Sequence, residues 1–350
     1  MGGKLINAMK SPENIIAGNL AALRPSADSV ALRELAHVYD AAELLVSRTV
    51  EKGEPIGFLP ENDAFIEEYR ALARLILGDG NESAEAAPEA KERGADKASV
   101  PNRYGDGTFS ARRSEARQAD RQADLSAVLC AAICDKLQKN GTPLTPQSFF
   151  GDTENSSKNA RIAYLRNAYS DSAYRVFSSV LKNAAVTYPD DFNGVCEEVY
   201  YERCRYCILP IESSADGTLV SFRKLAKKYE LCPVMSCTVV TGDGSASTEF
   251  MLFSKKIELL DCGVHTKKRL LCFRLNGCDG REVMNTLKAL ALFGMKLRKL
   301  ESSPVSWDDE RFSAELAAEY QPESLVPLLT YLTLELPGCD VIGAYTQLQE

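Results

Sequence analysis

Tyr206-Cys207-Ile208-Leu209-Pro210-Ile211-Glu212-Ser213-Ser214-Ala215-Asp216-Gly217 is the stretch on which the fold of this chain turns. From Tyr206 to Ile211 it is a short apolar run with aromatic and β-branched members, the pattern of a buried strand. Ser, Ala, Asp and Gly then supply turn chemistry, and helical spacing begins at Ser221. Elements on either side follow the same alternation. Ile162 to Leu165 reads as a short strand, and Ser170 to Leu181 as a helix with Ala173, Val176, Phe177 and Val180 inward. Asp191 to Tyr201 and Ser221 to Tyr229 are spaced as helices. Leu231 to Val240 and Thr248 to Ser254 are strands around the turn Gly242-Asp243-Gly244. Strands alternating with helices predict an α/β sheet over residues 161–256.

Residues 267–349 read β-α-β-β-α-β, the ferredoxin-like order. The elements are Leu270–Leu275, Arg281–Phe293, Met295–Ser302, Arg311–Glu319, Pro322–Leu334 and Asp340–Gln347. Gly294 suits a helix C-terminus, and Pro322 suits a first helical turn. Upstream, residues 1–78 read as a helical hairpin. Leu32, Leu35, Tyr39, Ala42 and Leu45 share one face after Ser29, and Phe65, Tyr69 and Leu72 share another after an Asn62 or Asp63 cap. Residues 79–123 are rich in Ala, Glu, Gly and Arg with few apolar partners, which predicts a flexible linker. Residues 124–160 hold one amphipathic helix and a connection.

Composition sets the class. The formal net charge of −8 gives no general attraction to nucleic acid or to an anionic membrane surface. No run reaches the roughly 18 to 20 apolar residues of a membrane span, and Met1 to Lys10 lack the apolar core of a secretory signal. The expected location is cytoplasmic. Most of the eleven cysteines fall inside apolar runs, as reduced thiols packed like small hydrophobes do. Cys204 and Cys207 have CxxC spacing but no second pair or nearby histidines to complete a zinc site, so no metal or other cofactor is expected. With two histidines, His37 and His265, no nucleophile–His–acid set can be assembled.

Two segments carry a family resemblance. The strand ending in Pro210-Ile211-Glu212-Ser213-Ser214 resembles the Pro-(Ile/Val)-Glu-Asn-Ser segment of prephenate dehydratases. Leu297-Arg298-Lys299-Leu300-Glu301-Ser302-Ser303-Pro304 resembles the Glu-Ser-Arg-Pro segment of the ACT domain that follows those enzymes. The resemblance implies that 161–256 form one lobe of a periplasmic-binding-protein-like dehydratase and that 267–349 form an ACT domain. The family's substrate-lining motifs then map onto Tyr169-Ser170, Glu212-Ser213-Ser214 and Thr248-Glu249-Phe250. If activity survives, the catalytic residues implied are Thr248, Ser214 and Ser170.

The departures are chemical. The glycines that bring backbone N–H groups to an anion are missing before Tyr169. Ser213 stands where the family has Asn, and Glu249 where it has Arg. Unit charges about 4 Å apart at an effective dielectric near 20 interact by about 4 kcal/mol, so this exchange turns attraction for a dicarboxylate into comparable repulsion. Too few residues separate Ser221 from Ser247 for a second lobe. In the ACT part, Gly280, Arg281, Glu301 and Ser302, with Glu212 and Ser213 of the first motif, are the implied ligand-binding residues.

The expected function is a catalytically impaired member of this group. It would bind a small amino acid, phenylalanine among them, or a carboxylate, and pair through ACT domains as a homo-oligomer. The alternatives are an active prephenate dehydratase of phenylalanine synthesis and a protein-interaction scaffold built on the N-terminal helices.

Overall fold

The computed structural model describes residues 29–51, 56–77, 106–151, 160–181, 184–240, 242, 244–305 and 311–349, with 29–34 and 106–120 described by backbone alone. In chain order, α1 is Ser29–Glu51, α2 Asp63–Leu77 and α3 Asp106–Lys139. After the one-turn helix Gln147–Phe150 come β1 Arg161–Ala163, α4 Ala168–Val180, β2 Ala185–Thr187, α5 Phe192–Tyr200, β3 Tyr206–Ser213, β4 Gly217–Thr218 and α6 Val220–Lys228. They are followed by β5 Cys232–Val240, β6 Ser247–Ser254, β7 Thr266–Cys278, α7 Gly280–Leu292, β8 Lys296–Pro304, β9 Phe312–Tyr320, α8 Pro322–Glu335 and β10 Cys339–Leu348.

These elements form two compact units. One gathers α1, α2 and α3 with most of α7 and α8; the other holds the whole sheet with α4, α5 and α6. The expected 79–123 linker is corrected at its C-terminal end, because residues 106–123 lie inside α3. Its remaining part, 79–105, lies outside the described residues. Sparse apolar content argued against order there, but Ala, Arg and Gln are good helix formers and the 34-residue helix continues into a strongly buried segment.

The helical unit buries Val38, Ala42, Leu45 and Val46 of α1, Phe65, Ile66 and Tyr69 of α2, and Ala127 to Ile133 with Leu137 of α3. Asn62 caps α2 by accepting the Phe65 N–H at 3.0 Å. Polar groups sit inside this apolar packing. The Tyr69 hydroxyl donates to the Glu335 carboxyl and lies 3.7 Å from Cys130 Sγ, and Cys134 Sγ lies 3.2 Å from Thr330 Oγ1. Burial raises the Glu335 carboxyl above the usual carboxylate range, against the Tyr69 and Ser126 hydroxyls that favour its charged form.

The sheet unit contains every strand among the described residues. Strand order is β2-β1-β3-β6-β5-β10-β7-β9-β8, with β4 paired to β3. β1 is parallel to β2 and β3, and β5 is parallel to β10; the other pairs are antiparallel. Residues 267–349 thus show the expected ferredoxin-like strand order, β10-β7-β9-β8, but as a continuation of the first sheet. On one face, Ile162, Tyr206, Ile208, Met235, Cys237, Phe250 and Leu252 pack with Ala173 and Phe177 of α4. On the other, Cys207, Leu209, Ile211, Met251 and Phe253 pack with Val195 and Val199 of α5 and Ala226 of α6. β3 is apolar on both faces because it is covered on both, as its unbroken run required.

Two features fix this unit. Glu258 is 7% exposed, accepts the Tyr206 hydroxyl at 2.7 Å, and receives Arg205 through two hydrogen bonds at 3.1 and 3.0 Å. At the seam between the halves, Thr346 registers with Met235 and Gln347 with Ser236. A Cβ at Gly343 would lie 2.6 Å from Pro233 Cδ and 3.2 Å from the Pro233 carbonyl oxygen, so only glycine permits this approach. Gly343→Ala is expected to cost about 1–3 kcal/mol by overpacking. Glu258→Ala is expected to cost about 3–5 kcal/mol, because it strands a half-buried guanidinium. Urea denaturation of the full chain measures both; a cost below about 0.5 kcal/mol for either would show that its contact does not hold the sheet.

Candidate functional site

Pro210 has no N–H to give to the β3–β6 ladder, and the register shifts just after it. Pro210 pairs with Phe250, yet Glu212 rather than Ile211 pairs with Glu249. In such a bulge two residues of one strand oppose one of its partner, so Glu212 is brought onto the face where Glu249 lies. Thr238 of β5 continues the row on the far side of Glu249, and Ser236 is the diagonal neighbour. Two carboxylates therefore stand side by side on the face covered by α5 and α6.

Neither carboxylate has an ion pair among the described residues. Burial raises the Glu249 carboxyl; Ser236 opposes this, Glu212 raises it further, and Lys268 and Arg223 pull it down. Ser236 is fully buried, and its hydroxyl lies near enough to favour the Glu249 anion while closing no hydrogen bond among the described residues. Tyr345 of β10 packs against the apolar cluster of this face. Its phenol is raised well above the ordinary value by burial, with Cys272, Glu249 and Glu212 adding to that and Arg223 opposing it. Burial pushes the Cys272 thiol up to about 12.

Cations border the carboxylates. Arg223 of α6 pairs with Glu301 at 2.8 Å, and Lys299 pairs with Glu301 at 2.7 Å and reaches Thr218 Oγ1 at 3.3 Å. Partial burial lifts the Glu301 carboxyl, but Lys299 and Arg223 outweigh it and hold the group below its ordinary value. Lys268, opposite Gln347 in the ladder, makes no ion pair among the described residues.

The residues read from sequence are divided by this geometry. Glu212 and Glu301 belong to the polar group just described. Thr248 registers with Ser213 and, by strand alternation, lies on the opposite face, which α4 covers. Ser170 is buried in the first turn of α4. Ser213 Oγ accepts the N–H groups of Ala215 and Asp216 at 3.2 and 3.4 Å, and Ser214 Oγ accepts the Ser247 N–H at 2.9 Å. Both serines thus serve the turn and the β3–β6 pairing. Gly280 and Arg281 open α7 and are exposed, as is Ser302 on edge strand β8. Asp279 and Glu282 exchange reciprocal hydrogen bonds of 2.8 and 2.9 Å at that helix start, so its N-terminal donors already face carboxylates. Sequence reading missed Arg223, Ser236, Lys268, Cys272, Lys299 and Tyr345. A charged residue within the apolar strand Phe250–Phe253 and its flank was the one available signal, and it marked Glu249.

No family model matches the chain, and no curated protein matches it. Among solved structures it is similar to a prephenate dehydratase from Streptococcus mutans, with 18% identity and a TM-score of 0.44 over 55% of this chain and 100% of that one. It is also similar to GqqA, described as a novel type of quorum quenching acylase, with 19% identity and a TM-score of 0.40 over 53% of this chain and 94% of that one. A prephenate dehydratase from Arthrobacter aurescens in complex with L-Phe matches at 12% identity and a TM-score of 0.39, over 53% and 90% of the two chains.

The raised Glu249 carboxyl predicts a pH effect of definite sign. The native state binds that proton more tightly than the unfolded chain does, so stability falls as pH rises from the ordinary Glu value, about 4.3, through the higher native one. Glu249→Gln removes this loss. The variant is expected to melt higher than wild type at pH 7 to 8 and to converge with it below about pH 4. Thermal denaturation of both proteins across that range measures it, and a pH-independent difference would rule out the desolvated charge as the cause.

Proposed function

We propose that this chain is a prephenate-dehydratase-like protein with a C-terminal ACT domain, catalytically impaired, that binds a small amino acid or carboxylate as a regulatory or sensing module. The observation that carries this reading is Glu249, a half-buried carboxylate where the family motif has arginine, with Glu212 beside it. A dianionic substrate would meet like charge there. Thr248 and Glu249 sit on opposite faces, and the Ser213 and Ser214 hydroxyls are engaged by backbone N–H groups. The membership of every described strand in one sheet supports the loss of the second wall that would exclude water from such chemistry.

Pairing through the ACT part is supported by edge strand β8, where Leu297 and Leu300 are 40% and 43% exposed. An uncovered edge strand offers unpaired N–H and C=O groups to a second copy. Among the described residues no helix is long and apolar enough to cross a membrane.

Purified protein incubated with prephenate is expected to yield no phenylpyruvate, and a set of free amino acids and carboxylates is expected to include one that raises the melting temperature. Turnover abolished by Thr248→Ala would replace this reading with an active dehydratase. Light scattering is expected to show a dimer that Leu300→Lys weakens. A monomer at all concentrations would remove the pairing.

A further inference from the structure

Resting on that reading, we infer that the ligand is a zwitterionic α-amino acid held on the α6-covered face of the sheet, with its ammonium group between Glu249 and Glu212 and its carboxylate toward Lys268 and Arg223. The cross-strand register brings both carboxylates together, and neither has an ion pair among the described residues. Two adjacent anions, one of them partly desolvated, are costly unless a cation joins them. The Ser236 hydroxyl, fully buried and without a hydrogen-bond partner among the described residues, lies beside Glu249. An unsatisfied buried hydroxyl such as that of Ser236 calls for an occupant that can donate or accept a hydrogen bond.

An ammonium supplies three donors and one positive charge, which suits two carboxylates and a serine oxygen. A divalent metal fits less well. Lys268 and Arg223 act on the same carboxylate, and a bare metal ion would meet them without bringing an anion to offset the repulsion, as a zwitterion does. Those cations fit the other end of a zwitterion. Lys268 makes no ion pair among the described residues, and Arg223 uses one of its five N–H donors on Glu301. A carboxylate-only ligand would gain these contacts but leave Glu249 and Glu212 without a counter-charge.

Thermal shift and calorimetry on the full chain separate the possibilities with matched probes. These are L-phenylalanine against 3-phenylpropanoate, L-leucine against 4-methylpentanoate, and L-glutamate against glutarate, with magnesium and calcium chloride alone as further arms. At least one amino acid is expected to bind while its carboxylate-only partner does not. Glu249→Gln is expected to weaken that binding at least tenfold while melting no lower than wild type at pH 7, so misfolding would not explain the loss. Glu249→Arg is expected to reverse the preference toward the carboxylate-only probe.

Binding of carboxylates without amino acids would overturn the inference and leave the sensing function standing. Amino-acid binding unchanged in Glu249→Gln would also overturn it, by moving the site elsewhere. Stabilisation by a metal chloride alone, lost in Glu249→Gln, would overturn it in favour of a metal site. Binding of none of the probes would overturn both the inference and the sensing function.

Discussion

The seam between β5 and β10 is the constraint on which the sheet unit depends. Two strands far apart in sequence run parallel there, and the close approach is possible because Gly343 presents no side chain to Pro233. Without the seam the two halves would have separate edges, each with unpaired backbone groups. With it, β10 carries Tyr345 and β7 carries Lys268 and Cys272 to the face that already holds Glu249 and Ser236. The polar group therefore draws on both halves, and neither half contains it alone.

A second device works within the first half. Proline inside β3 leaves a gap in the ladder, and the bulge that follows turns Glu212 toward Glu249. Bulges of this kind re-aim side chains at the cost of local pairing, and here the re-aimed group is a carboxylate set beside another. The arrangement is unfavourable in isolation. In the proposed reading a ligand's ammonium group relieves it.

Much of the secondary structure was legible in the chain. The apolar run at Tyr206–Ile211, the helical spacing through Ala173 and Phe177, and the β-α-β-β-α-β order after Thr266 reflect burial patterns with periods of two and 3.6 residues, which local sequence expresses directly. The short β2 and β4 escaped notice because two or three residues carry no period. The helix over residues 106–123 escaped because its composition suits solvent or a helix equally, and only chain continuity with α3 decides. For the candidate site, strand alternation could place Thr248 and Glu249 on opposite faces, but the motif resemblance grouped them together. The shift at Pro210, which brings Glu212 rather than Ile211 opposite Glu249, depends on how β3 meets β6.

By itself, then, the sequence determined which of the longer segments become strands and helices, that an acidic residue, Glu249, adjoins the apolar run Phe250–Phe253, and that the C-terminal region has ferredoxin-like order. These follow from side-chain size, polarity and spacing, which act over a few residues. Only the tertiary structure decided that the two sheets are one, that most of α7 and α8 group with the N-terminal helices, and that Arg223, Lys268, Ser236 and Tyr345 gather around two carboxylates that have no ion pair among the described residues. Those outcomes depend on register and on close approach between strands remote in the chain, where a missing Cβ or one extra residue in a ladder changes which side chains meet.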